Sequence, residues 1–148
     1  MSTVPASAKA VGIIGFGKMG LTRALALEED GRAQILSIYD PLPIADPRYP
    51  VAASAEEIIA NPAIGTVFLC GTNDVLPKQA IAAMRAGKHV FSEKPPAFNA
   101  AQLKEVIAAE RETGRVLMYG FNHRHHGGVR KMHDVIASGA YGRVLWMR

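Results

Sequence analysis

The stretch Ala10-Val11-Gly12-Ile13-Ile14-Gly15-Phe16-Gly17-Lys18-Met19-Gly20 decides how the rest of the chain is read. Ala10 to Ile14 is a short, continuous run of small and apolar residues, as expected for a strand buried on both faces. Good helix formers then run from Lys18 to Glu29 and stop at Asp30-Gly31. A Gly-x-Gly-x-x-Gly turn between a buried strand and a helix is the context in which that motif is informative. Gly15 permits the tight turn, Gly17 lets the backbone approach a pyrophosphate, and Gly20 lets the helix pack closely. The helix start adds N–H groups and a positive dipole end. The loop Gly15, Phe16, Gly17, Lys18, Met19 and Gly20 is therefore expected to bind a dinucleotide.

Asp40 supplies the second half of this signal, 20 residues past Gly20 at the end of the run Gln34–Tyr39. A carboxylate there accepts from the adenosine ribose hydroxyls and repels a 2′-phosphate. Pro41 follows, and no Lys or Arg occurs before Arg48, so no cation is expected near that phosphate. NAD is therefore expected as the cofactor in preference to NADP. Methyltransferases share a glycine-rich first turn and this acid, but their turn usually lacks the third glycine.

Outward from the loop, short apolar runs alternate with helical patterns. Strands are expected at Thr66–Leu69, His89–Phe91, Val116–Tyr119 and Val144–Met147, with helices at Ser54–Ala60, Pro77–Ala86, Asn99–Thr113 and Val129–Ser138. Ser54 with Glu57 has capping-box spacing, and Asn99 suits an N-cap. Four prolines, at 41, 43, 47 and 50, make 41–50 an irregular loop. The apolar stripe Val129, Met132, Val135, Ile136 reads as core packing. Strands alternating with helices imply parallel β-α-β units, hence an α/β fold: a doubly wound parallel sheet of Rossmann type in three layers, αβα.

Composition agrees with such a domain. The 148 residues are 49% apolar and 20% charged, enough for one globular core and unlike a disordered chain. The single cysteine, Cys70, excludes an internal disulfide and a multi-cysteine zinc site, and reads as a small buried residue. No apolar run reaches a membrane span, and Met1–Lys9 lacks the apolar stretch of a signal peptide, so a cytoplasmic location and no membrane partner are expected. The net charge of +4 falls entirely in the last quarter: residues 113–148 carry +5 and residues 1–112 carry −1. That local excess suits a ligand-facing strip better than a nucleic-acid surface, and no nucleic-acid partner is expected.

Gly87-Lys88-His89-Val90-Phe91-Ser92-Glu93-Lys94-Pro95 resembles the A-G-K-H-V-x-x-E-K-P signature of the glucose–fructose oxidoreductase, inositol dehydrogenase and MocA family. The glycine loop, Asp40, Phe121-Asn122-His123-Arg124 and Ser138-Gly139-Ala140-Tyr141-Gly142 fall in the family's order, so the resemblance covers essentially the whole chain. It implies an NAD(P)-dependent oxidoreductase acting on a hydroxyl carbon of a sugar, sugar acid or cyclitol. It implies Lys94 as the catalytic residue, partly buried at the reacting end of the nicotinamide, with Glu93 holding cofactor or backbone. Asn73, Asn122 and Arg124 are implied as cofactor contacts. The loop after the third strand departs from the family's T-P-N-x-x-H at Thr72 and Leu76, so only Asn73 is carried over. His123-Arg124-His125-His126 is not expected to bind metal, because adjacent residues on a turn rarely converge on one ion.

In the family a second, largely β-sheet domain carries most of the substrate pocket, an acid–base histidine and the oligomer interface. That domain is expected to be absent from residues 1–148, and the full-length form is expected to be a homo-oligomer. A non-catalytic dinucleotide-binding module or sensor is the alternative reading.

Overall fold

The computed structural model describes residues 9–45 and 47–146. Five parallel strands form one sheet: β1 (Lys9–Ile14), β2 (Ala33–Tyr39), β3 (Thr66–Leu69), β4 (His89–Ser92) and β5 (Leu117–Tyr119). Their order is β2-β1-β3-β4-β5. Between them run α1 (Lys18–Asp30), α2 (Ala55–Ala60), α3 (Leu76–Arg85) and α4 (Ala100–Thr113).

Successive strand residues point to opposite faces, and the two faces are filled differently. Ile14, Val67, Leu69 and Val90 pack with α2, α3 and α4, through Ile58, Ala80, Met84 and Val106 among others. Val11, Ile13 and Ile38 pack with Ala24 and Leu27 of α1 and with Phe16, Ile44, Tyr49 and Phe68. This is the expected three-layer αβα arrangement. Local signals hold the ends: Ser54 Oγ accepts from Glu57 N at 3.2 Å, and Asn99 Oδ1 accepts from Gln102 N at 3.0 Å. Glu57 Oε2 reaches back to Ala53 N at 2.6 Å, one residue outside the expected box partner. The proline-rich loop is tied to the sheet, since Ile38 N donates to Pro50 O and Ala52 N to Ile38 O, both at 2.9 Å. Lys88, buried before β4, donates Nζ to Asn61 O at 2.6 Å and Ile64 O at 2.8 Å.

Two expectations about the last quarter are overturned. The helix is there as α5 (Gly127–Ala137), after a 3-10 turn at Asn122–His125, but no residue of it is buried. Met132 and Ile136 are each 43% exposed, so the apolar stripe is not core. Helical periodicity records that one face is apolar, not that a neighbour covers it. Val144–Trp146 form no strand and are exposed, because no strand among the described residues pairs with them; Met147 lies outside the described residues. No described helix is long and apolar enough to cross a membrane.

Candidate functional site

The strand order reverses between β1 and β3, and the loops leaving both meet there at the carboxyl edge of the sheet. Gly15 has φ +90°, and a Cβ on it would strike the backbone of Gly71 and come within 2.6 Å of the Cys70 carbonyl carbon. Only glycine fits where two loops touch in this way. A Cβ on Gly20 would collide with the carbonyl oxygen of Gly15, so this glycine lets the helix approach the loop after β1 rather than the strand itself. Among the described residues nothing lies within 4 Å of a Cβ on Gly17, which leaves open space over the second glycine. Gly17 is also the N-cap of α1, and among the described residues no side chain caps the helix. The first turn of α1 thus faces that space with backbone N–H groups, the donor set that holds phosphates.

Asp40 stands beside this loop as expected, and it is already engaged. Oδ2 accepts from Phe16 N at 2.7 Å and Oδ1 from Leu42 N at 2.9 Å. The carboxylate therefore sets the glycine turn, and it keeps lone pairs that can accept from a further donor. The next cation along the chain, Arg48, comes close to the glycine turn. The 41–50 loop folds back so that Arg48 lines a cavity of about 310 Å³ together with Phe16, Gly17, Leu21, Leu25 and Ile44. Phe16 meets Tyr49 of the same loop edge to face, with centroids 5.8 Å apart. Counting residues from Asp40 to Arg48 missed this, because a proline-rich loop reverses direction within a few residues.

A second cavity of about 410 Å³ opens beyond the carboxyl ends of β4 and β5 and is lined by Lys94, Gly120, Phe121, Asn122, His123 and Arg124. The structure brings together here three of the residues singled out in sequence: Lys94, Asn122 and Arg124. Lys94 is exposed, not partly buried as expected, and precedes a cis peptide bond to Pro95. Arg124 sits over the ring of Phe121, 5.9 Å from its centroid. Asn73 is half-buried in the loop after β3.

Glu93 is buried, and its carboxylate takes a partner the sequence did not suggest. Arg23 of α1 donates Nε at 2.7 Å and Nη2 at 2.5 Å to Oε1 of Glu93, and Nη2 reaches Asn122 Oδ1 at 3.2 Å. The guanidinium lies 4.9 Å from the centroid of Phe91, which stacks on Phe68. Burial, followed by the nearby Glu93 charge, pushes the Cys70 thiol up to about 12 and keeps it neutral. Arg23, Arg48 and Gly120 are thus site residues that sequence reasoning passed over. Arg23 carried one available signal, its position three residues past the last glycine.

A parallel doubly wound sheet with a glycine turn and an uncapped helix start at its switch point defines a dinucleotide-binding fold of Rossmann class. Comparison with known proteins narrows this. A sequence model of the oxidoreductase family with an NAD-binding Rossmann fold (Gfo/Idh/MocA) matches residues 9–121, and the chain belongs to that family. It is 41% identical over 97 residues to 1,5-anhydro-D-fructose reductase of Ensifer adhaerens, covering 64% of this chain and 28% of the reductase. It is 30% identical over 145 residues to inositol 2-dehydrogenase of Salmonella typhimurium, covering 90% of this chain and 43% of the dehydrogenase. Among solved structures, apo scyllo-inositol dehydrogenase from Lactobacillus casei superposes with a TM-score of 0.82 at 20% identity, over 92% of this chain and 43% of that one. A protein from Desulfitobacterium hafniense, provisionally described as an NADPH-dependent oxidoreductase, superposes with a TM-score of 0.84 at 23% identity, over 95% and 42% of the two chains. The chain spans less than half the length of these relatives.

Proposed function

We propose that this chain is the dinucleotide-binding part of an NAD-dependent oxidoreductase acting on a CH–OH carbon of a sugar, sugar acid or cyclitol, with Lys94 as its catalytic residue. The observation that carries the proposal is the pairing of two features along one sheet edge. An uncapped glycine turn stands at β1, and a cavity holding Lys94, Asn122 and Arg124 stands at β4 and β5. Open space over Gly17 and the uncapped start of α1 fit a dinucleotide's phosphates. Gly15, Phe16, Gly17, Lys18, Met19 and Gly20 would hold these phosphates, Asp40 the adenosine ribose, and Asn73, Asn122 and Arg124 the nicotinamide half. Bound NAD supplies the hydride acceptor, and NADH the donor. Lys94 would bind the reacting hydroxyl oxygen and stabilise negative charge on it as its proton passes to an acid–base group of the second domain. Arg124 and Asn122 add donors and acceptors suited to an oxygen-rich ligand. The polyhydroxylated substrates in the names of the reductase and dehydrogenase relatives support this substrate class. We assign the acid–base histidine, most of the substrate pocket and a homo-oligomer interface to a second domain.

Asp40 at the end of β2 supports NAD over NADP. Arg48 beside Phe16 and Gly17 supports a second reading in which a 2′-phosphate is also accepted. Parallel fluorescence titrations with NADH and NADPH separate the two. NADH binding tighter than NADPH is expected, and equal or tighter NADPH binding overturns the preference. Lys94→Ala is expected to leave NADH affinity largely intact; a large loss of affinity removes Lys94 from the catalytic role.

A further inference from the structure

We infer that Arg23 is a positioning residue, which ties the helix of the glycine turn to the Lys94 cavity and thereby aligns the two ends of the dinucleotide site. The inference rests on the proposed dinucleotide reading and adds to it a residue outside both the glycine turn and the Glu93-Lys94-Pro95 segment. Arg23 belongs to α1, whose first turn faces the open space over Gly17. Its guanidinium spans to the other end of the site, where it holds Glu93, the neighbour of Lys94, and Asn122, which lines the cavity with Lys94. One planar group therefore touches three elements: α1, the segment leaving β4 and the turn after β5.

Three further features show that the arrangement is built for this group. The side chains of Arg23 and Glu93 are only 16% and 8% exposed, so neither charge is solvated enough to stand alone. The guanidinium carbon lies over the ring of Phe91, 4.9 Å from its centroid, a cation–π contact that helps hold it in place. Gly120 makes the room: a Cβ there would lie 3.0 Å from Glu93 Oε2 and 3.1 Å from Arg23 Nη2. Any larger residue at 120 crowds the pair. Gly120 N also donates to Ser92 O at 2.9 Å, so the β5 turn is set against the strand that carries Glu93.

Lysine cannot replace this group, since a single ammonium has neither the fork for Glu93 nor the planar face for Phe91. Loss of Arg23 leaves Glu93 buried without its partner and frees Asn122. The phosphate cradle at Gly15–Gly20 keeps its own contacts. The damage is expected at the nicotinamide end, beside Lys94, and not at the ADP end.

The test compares NADH with ADP-ribose, which lacks the nicotinamide, as ligands for the whole chain by titration calorimetry. Wild type, Arg23→Met, Arg23→Lys and Glu93→Gln are measured, with thermal unfolding confirming that each is folded. All three variants are expected to weaken NADH by roughly 5- to 20-fold while ADP-ribose changes by less than about twofold. Arg23→Lys and Glu93→Gln preserve most of the packing and report even where Arg23→Met does not fold. Parallel weakening of both ligands indicates a general structural role and overturns the inference, as does rescue of NADH binding by lysine. A wild-type chain that binds neither ligand overturns the dinucleotide reading itself, and the positioning role with it.

Discussion

Replacing Asp40 by alanine removes two hydrogen bonds of unequal weight. The bond from the half-buried Phe16 N, at 2.7 Å, fixes the glycine turn; the bond from Leu42 N, at 2.9 Å, is exposed. Hydrogen bonds to charged acceptors contribute about 1.5–3 kcal/mol when sheltered, and water replaces most of an exposed one. The sum is about 2 kcal/mol, nearly all from Phe16. For a chain of this length that lowers Tm by about 6–8 °C. Binding suffers separately, because the ribose hydroxyls lose a charged acceptor. A further ~1.5–3 kcal/mol raises the NADH Kd by roughly 10- to 150-fold. NADPH is expected to lose less, since the repulsion between Asp40 and a 2′-phosphate disappears with the carboxylate. The assay is thermal unfolding without ligand, followed by fluorescence titrations with NADH and NADPH. An unchanged Tm refutes the turn-holding role. A lowered Tm with unchanged NADH affinity refutes the ribose role.

Other perturbations separate stability from binding. Gly15→Ala places a Cβ at φ +90° against the backbone of Gly71 and Cys70, and is expected to cost about 3 kcal/mol and abolish NADH binding; denaturant unfolding and titration measure both. Lys88→Met strands the carbonyls of Asn61 and Ile64 at the opposite, amino edge of the sheet. It is expected to cost about 2–3 kcal/mol in urea unfolding with no change in NADH affinity. Burial raises the Cys70 thiol from an ordinary 9.0 to about 12, so it holds far less thiolate at pH 8 than a free cysteine. Iodoacetamide is expected to label it much more slowly than a free cysteine at pH 8, and rapid labelling there contradicts this burial. Met132→Gln and Ile136→Gln on α5 are each expected to change stability by less than about 0.5 kcal/mol, whereas losses of 2 kcal/mol or more point to a covered stripe.

Particular residues show where the sequence was sufficient. Ser54 and Asn99 cap their helices as read, because a cap is a contact across three residues and needs no tertiary partner. The glycine turn was legible for a similar reason: its three glycines answer to a strand, a turn and a helix that are contiguous in the chain. Asp40 was legible by its fixed spacing, though its hold on Phe16 N was not. The nicotinamide end was less so. Lys94, Asn122 and Arg124 were named through their resemblance to family motifs, whereas their meeting around one cavity depends on β4 and β5 being neighbours.

By itself the sequence determined the alternation of strands and helices, the glycine turn and the helix caps. Each of these arises from backbone preferences and side-chain periods acting within a few residues. Tertiary structure alone decided three other matters. It joined Arg23 to Glu93 across 70 positions, brought Arg48 back to the glycine turn, and left the apolar stripe of α5 exposed. A guanidinium, a loop cation and an apolar face have no partner written in their local pattern. Their partners are supplied by strand order and loop path, which determine what lies opposite them in space.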